Sequence, residues 1–454
     1  MTTDRAVGPE DTSSIPSEPL HLGYDALLFD LDGVLYRADE PVPGAADALS
    51  GLRTAGATIR FLTNNSARTP LQIAERLARM GIHAQPSEIL TSGLATAALL
   101  HREGITGTAF VVGERGVRDA LETAGIEVVD GSPARTDLVV VGWDRELTYD
   151  KLRIAALLVQ RGARLVATNA DVTYPAPDGL WPGAGSILAA VVAATGATPT
   201  VVGKPSRPLF QAAAEETGAS RPLVVGDRLD TDIAGASGVG WDSFLVTTGA
   251  SRLPDLLDAA TIPTFVAASL GALLEPRLPA RPRPATHDDV TDVSELLRAA
   301  GLSPDGLAER VEASATTVLA GPEGSPGPPT AVAGVLDIGD GFGVLRGVAV
   351  AEPFRGQGLG TLVVAAATRL AADRGIRQLV LFTDRGGGFF GELGFAPVDR
   401  AEVPPAVLSS PEIAAHCAGC TLVMTRSIEP GAPESRPGQS SPASGRGGPP
   451  NPGG

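Results

Sequence analysis

ALLFDLDGV, residues 26–34, runs four apolar residues straight into two aspartates separated by a single leucine. An unbroken apolar run of this kind reads as a strand buried on both faces. Carboxylates at the end of such a strand are costly to hold near a core unless something uses them. The same arrangement returns far downstream in PLVVGDRLDTD (222–232), which places Asp227, Asp230 and Asp232 after a second apolar run.

Between these stretches, strand-like runs alternate with amphipathic helical ones, the pattern of a parallel α/β fold. Strands are expected at 26–30, 58–63, 109–113, 137–143, 164–169, 222–227 and 242–248, with helices such as 45–55 and 149–161 between them. In a parallel sheet the strand C-termini share one edge, where ligands bind. Asp30 and Asp32 should therefore meet Asp227 and Asp232 there. Thr63-Asn64-Asn65 closes another strand and offers a hydroxyl, amides and backbone N–H groups to a phosphate. Lys204, in Gly203-Lys204-Pro205, adds a positive charge.

Several carboxylates at one edge repel each other, and a divalent cation relieves the repulsion. An oxygen-only donor set without histidine points to Mg²⁺. A carboxylate nucleophile, a second carboxylate, a metal, a lysine and a hydroxyl are the parts that phosphoryl transfer needs. Each motif alone is commonplace; all of them, each after a strand, make accident a poor explanation.

The bulk numbers bound the partners. The chain has 454 residues, 43% of them hydrophobic, enough for two or three domains with sizeable cores. Its 52 acidic against 36 basic residues give a formal charge of −16, which argues against a nucleic acid or an anionic membrane as the main partner. Two cysteines, Cys417 and Cys420, supply neither a disulfide framework nor four zinc ligands. The N-terminus lacks a signal peptide's apolar core, and the longest apolar run, Ile187 to Ala194, is too short to span a bilayer. A cytoplasmic protein is expected, and a homo-oligomer is compatible with the sequence.

The acidic, Thr-Asn-Asn and Gly-Lys-Pro motifs resemble the four motifs of the haloacid dehalogenase superfamily, in its phosphatase branch, over about residues 24–274. Asp32 separates this branch from the dehalogenases, which lack a second aspartate. The long insert resembles the subclass IIA cap of 4-nitrophenylphosphatase-like and glycerol-phosphate phosphatases, with Thr168-Asn169-Ala170-Asp171 and Pro182-Gly183-Ala184-Gly185 as its TNxD and PGxG segments. The resemblance implies that Asp30 attacks phosphorus and that Asp32 serves as acid and then base. It implies Mg²⁺ on the Asp30 carboxylate, the Asp32 carbonyl and Asp227. Lys204 and Thr63, with Asn64 and Asn65, would hold the phosphate, and Asp232 would orient Lys204 or a metal-bound water. Asp230 reads equally as a loop carboxylate.

The remaining chain raises a separate question. After a proline-rich stretch at 276–284, the turn Arg355-Gly356-Gln357-Gly358-Leu359-Gly360 follows an apolar strand and opens a helix. With the strand at 377–383 and FFGELGFAPV (389–398), it resembles the acyl-CoA-binding core of the GNAT acetyltransferases. That implies acetyl-CoA at Arg355, Gly356, Gly358 and Gly360. Many relatives carry a tyrosine acid where this chain has Phe390, which cannot donate a proton. Phe389 and Phe390 read equally well as core residues.

The expected architecture is α/β: a Rossmann-like phosphatase core at 21–90 and 200–275, an inserted α/β cap at 91–199, a linker at 276–284 and a GNAT-like α+β domain at 285–428. Disordered tails at 1–20 and 429–454 flank it. A phosphatase joined to a GNAT-like region resembles the actinobacterial glycerol-3-phosphate phosphatases. The implied substrate is glycerol 3-phosphate, with 2-phosphoglycolate or another small phosphomonoester as the alternative. A reading of another class makes the chain an acetyltransferase or acyl-CoA sensor with a phosphatase-like regulatory half.

Overall fold

The computed structural model describes residues 18–176, 178–277, 282–308, 311, 315–319, 328–410, 413 and 419–428. Most of the expected tails and Cys417 lie outside the described residues. Leu20, placed in the N-terminal tail by composition, is instead buried in a short 3₁₀ turn and donates its N–H to the Glu275 carbonyl at 2.9 Å.

Six parallel strands build the first sheet, in the order Phe265–Ala267, Asp242–Val246, Pro222–Gly226, Ala26–Phe29, Ile59–Thr63 and Ile89–Thr91. Strand Ala26–Phe29 is buried throughout because both of its faces are covered. Leu27 and Phe29 pack with Phe61, Val225 and Phe244 on one side, and Ala26 and Leu28 with Leu62, Val224 and Phe210 on the other. Phe29 stands opposite Val225, and the Asp30 N–H donates to the Val225 carbonyl at 2.8 Å. This register delivers both acidic strand ends to one edge.

A second parallel sheet follows, in the order Thr200–Val201, Arg164–Ala167, Leu138–Val141, Thr108–Val112 and Glu127–Val129, so Thr200–Val201, expected at the core's return, pairs with the insert instead. An antiparallel hairpin, Thr173–Ala176 with Gly179–Pro182, projects from it. Helix Tyr149–Gln160 starts where Thr148 accepts the Lys151 N–H, one residue short at its end of the sequence expectation. The insert sits tightly on the first sheet: Gly116 N–H donates to the Ala67 carbonyl at 2.9 Å.

A third, seven-stranded sheet follows, in the order Pro282–Pro284, Ala315–Leu319, Ala331–Gly339, Phe342–Val350, Gln378–Thr383, Leu422–Ser427 and Ala396–Pro397. Among the described residues its one parallel pair, Phe342–Val350 with Gln378–Thr383, is bridged by helix Leu359–Asp373. The proline-rich stretch is thus not all linker, because Pro282–Pro284 pairs antiparallel with Ala315–Leu319. Proline lacks an N–H for a ladder and is tolerated at such an edge.

The third sheet docks directly on the first. Ile233, Leu245, Leu256, Leu257 and Val266 share one buried cluster with Leu359, Leu362, Val363, Leu379 and Leu393. Arg426 forms an ion pair with Asp258 and donates to the Pro254 carbonyl at 2.9 Å. Arg277 donates to the Gln357 carbonyl at 3.3 Å. Gly358 has φ +81°, and a Cβ there would lie 2.9 Å from the Val266 carbonyl oxygen and closer still to its side chain. Only glycine fits that approach.

Candidate active site

Asp30, Asp32, Thr63, Asn64, Asn65, Lys204, Asp227 and Asp232 all line one cavity of about 330 Å³ at the sheet edge. Its opposite wall comes from the insert, through Trp143, Asn169, Asp171, Tyr174 and Pro175. The first sheet's register brings the ends carrying Asp30, Thr63 and Asp227 together, and Lys204 reaches them from the loop after Thr200–Val201 of the second sheet.

Lys204 is the centre of the charge arrangement. Only 4% exposed, its amine pairs with Asp30 and donates to Asp232 Oδ1 at 2.7 Å. Burial alone would favour the neutral amine, but Asp232 and Asp30 outweigh it and hold the lysine charged, above its ordinary range. Asp30 is pushed well up by burial, then by the nearby Asp232 and Asp227 charges, against Lys204. Asp227 rises to about 6 from burial and the Asp232 charge.

One oxygen from each of Asp30, Asp227 and Asp232 lies within 4.8 Å of the others, enough to share one cation. Asp227 Oδ1 is buried without a hydrogen-bond partner among the described residues, while Oδ2 accepts the Ala250 N–H at 2.6 Å. An orphaned buried carboxylate oxygen costs stability unless something binds it. Gly33, at φ +78°, and Gly249 leave room for that carboxylate, since a Cβ on either would run into it. The donor set fits a hard divalent cation and offers no nitrogen or sulfur.

Asp32 stands slightly apart. Its carboxylate accepts the Tyr36 hydroxyl at 3.2 Å, and Arg76 lies over the Tyr36 ring at 4.4 Å. Burial raises Asp32, with Arg76 and the Tyr36 hydrogen bond opposing.

Thr63 accepts the Asn65 N–H at 3.1 Å, and Asn65 Oδ1 caps Ala67 N–H at 3.0 Å. Asn64 holds the lysine loop, its Oδ1 accepting Lys204 N–H at 2.7 Å and its Nδ2 donating to the Lys204 carbonyl at 3.0 Å. Its Nδ2 also donates to Asp171 at 3.0 Å. The Asn64 amide is thereby committed to positioning Lys204 and the insert. Asp232 Oδ2 accepts the Arg228 N–H at 3.1 Å. Asp230 turns outward, exposed and bidentate with Arg228 at 3.0 and 2.7 Å.

Sequence reasoning missed Tyr36, Arg76, Ala250 and the Trp143–Tyr174 pair. None of them sits in a motif; a tyrosine four residues after Asp32 was the one local hint.

In the loop that follows strand Phe342–Val350, Arg355 and Gly356 are exposed, and Gly358 caps helix Leu359–Asp373 with no side-chain cap among the described residues. Gly360 lies near Phe389, where a Cβ would meet the ring at 3.4 Å. Phe390 packs edge-on against Phe389 and Phe395, with ring centroids 5.1 and 5.9 Å apart. Both phenylalanines lie half-buried against the shared core, which favours the packing reading.

Residues 27–127 match the haloacid dehalogenase-like hydrolase family and residues 201–273 a HAD-hydrolase-like family. Residues 299–395 match the acetyltransferase (GNAT) family. An acid sugar phosphatase of Staphylococcus epidermidis is 37% identical over 244 residues, covering 53% of this chain and 93% of that protein. Among solved structures, the glycerol phosphate phosphatase of Mycobacterium tuberculosis in complex with calcium is 27% identical, with a TM-score of 0.63, over 83% of this chain and 98% of that one. The same enzyme with magnesium gives 28% and 0.62 over the same shares. NagD of E. coli is 34% identical, with a TM-score of 0.51, over 54% of this chain and 97% of its own.

Proposed function

Because the chain belongs to the haloacid dehalogenase-like hydrolases and carries a GNAT-like half, we propose that it is a Mg²⁺-dependent phosphomonoesterase acting chiefly on glycerol 3-phosphate. The observation that carries the reaction type is Lys204 bound between Asp30 and Asp232, beside an Asp227 oxygen with no partner among the described residues. The substrate reading rests on the mycobacterial glycerol phosphate phosphatase, similar over both halves of the chain.

Asp30 attacks phosphorus and forms an aspartyl-phosphate as the P–O bond to the alcohol breaks. Asp32 gives its proton to the departing oxygen, then takes one from the water that cleaves the intermediate, releasing phosphate and restoring Asp30. Lys204 and Thr63 hold phosphate oxygens as charge develops. Mg²⁺, held by Asp30 and Asp227 with the Asp32 carbonyl, would neutralise charge between nucleophile and phosphate. Asp232 fixes the lysine. The insert acts as a cap that excludes water.

A screen of small phosphomonoesters, with and without EDTA, tests this. Glycerol 3-phosphate should give the highest kcat/KM, EDTA should silence turnover, and Mg²⁺ should restore it better than Zn²⁺. Full activity after exhaustive chelation would exclude the metal-assisted scheme. A second substrate, 2-phosphoglycolate, is favoured by Arg37, whose exposed guanidinium lies at the cavity wall with no partner among the described residues. A carboxylate-bearing ester would pair with it.

In the GNAT-like half, acetyl-CoA binds at Arg355–Gly360 in this reading, since the uncapped amides of helix Leu359–Asp373 favour an anion. Phe390 cannot act as an acid, so transfer to an acceptor should be slow. Calorimetry of the intact chain should show saturable acetyl-CoA binding; its absence would leave the phosphatase as the chain's one activity.

A further inference from the structure

Tyr174 sits on the hairpin that the insert extends over the cavity. Its ring stacks on Trp143 with centroids 4.0 Å apart and planes at 28°. Trp143 is itself pinned, donating Nε1–H to the Pro182 carbonyl at 3.0 Å. Arg145 lies 5.2 Å over the Trp143 ring and is held by two bonds to Glu114, both 2.7 Å. An ordered column thus fixes the tyrosine ring in place.

The phenol at its tip is uncommitted: it has no hydrogen-bond partner among the described residues. The neighbouring polar groups differ, with Asn64 tied to Lys204 and Asp171, and Arg228 tied to Asp230. Burial and then the Asp32 charge keep the phenol protonated, so it is an available donor in the cavity that Asp32 also lines. Asp32 and Tyr174 line the same cavity, so an alcohol leaving towards Asp32 departs into the space this wall bounds. The outer face of Tyr174 and Pro175 offer apolar contact to its carbons.

We propose that Tyr174 reads the alcohol half of the substrate, its phenol hydrogen-bonding a hydroxyl on the carbon next to the ester carbon. This rests on the phosphomonoesterase reading above and adds the group that selects a hydroxylated ester. Tyr174 acts on binding, leaving the nucleophile and acid untouched. A site built to bond a hydroxyl rejects the analogue lacking it, because its own polar group is then left unpaired.

The test compares glycerol 3-phosphate with n-propyl phosphate, which lacks the hydroxyls, in the intact enzyme and in Tyr174→Phe. The wild type should prefer glycerol 3-phosphate. In the variant the ratio of the two kcat/KM values should fall about five- to tenfold, through KM for glycerol 3-phosphate, with the pH profile of kcat and the Tm unmoved. An unchanged ratio, or a fall in kcat with a shifted pH profile, would overturn the inference, the latter making Tyr174 a partner of Asp32. A wild type that hydrolyses other phosphomonoesters but not glycerol 3-phosphate refutes the substrate reading and this inference with it. A wild type inactive on every phosphomonoester refutes the phosphatase reading itself.

Discussion

Asp30→Asn should lower phosphatase turnover by about four orders of magnitude or more while the chain stays folded. An amide has no anionic oxygen to attack phosphorus and contributes no charge to a cation. The shape is nearly unchanged, and Lys204 keeps Asp232 as a partner at 2.7 Å. One charge also leaves the crowd formed with Asp227 and Asp232, so the melting temperature should hold or rise. Phosphate release and thermal unfolding, measured on one preparation, decide it. Turnover within tenfold of wild type would remove Asp30 as nucleophile, and the proposed mechanism with it.

Lys204→Ala should damage both rate and stability. Loss of a preorganised charge on the transferring group is worth about a hundred- to a thousandfold in kcat. The fold suffers because Asp30 and Asp232 lose the amine between them, and Asp232 is 1% exposed. Removing one member of a buried ion pair costs about 3–5 kcal/mol. A cation on the same carboxylates should compensate in part, so the drop in Tm should be larger in EDTA than in Mg²⁺. An equal Tm for variant and wild type in EDTA would show that the lysine does not offset this repulsion.

The acidic strand ends could be read in the sequence because a buried parallel strand leaves a continuous apolar signature, and its end is marked by the residue that breaks it. Asp30 and Asp227 each follow such a run, so topology alone places them together, whereas Lys204 follows the half-buried Thr200–Val201 of the insert's sheet and reaches the site from there. The wall opposite was legible only through the 168–171 and 182–185 segments, which bring Asn169, Asp171, Gly183 and Ala184 to the cavity; the hairpin between them was silent. Thr173–Ala176 and Gly179–Pro182 are mostly exposed, with no apolar alternation to announce a hairpin. Trp143 and Tyr174 meet only through folding, and no spacing rule links them. Pro282–Pro284 misled for a related reason: proline runs look like spacers, although an edge strand tolerates them. The glycine turn was read for a ligand alone, yet Gly358 is also required by its approach to Val266.

That approach gives the chain a single thermodynamic identity. Leu359 and Leu362, at 2% and 0% exposure, share their surroundings with Leu256, Leu257 and Val266 of the phosphatase. Each such side chain contributes about 1.5–3 kcal/mol by leaving water, and separating the halves would return that surface to solvent. Neither half can then be expected to melt, mutate or be inherited independently of its neighbour. A neutral change at Val266 in one ancestor would be neutral only beside a glycine at 358. The acetyltransferase-like half is, in that sense, a permanent subunit that happens to share a gene.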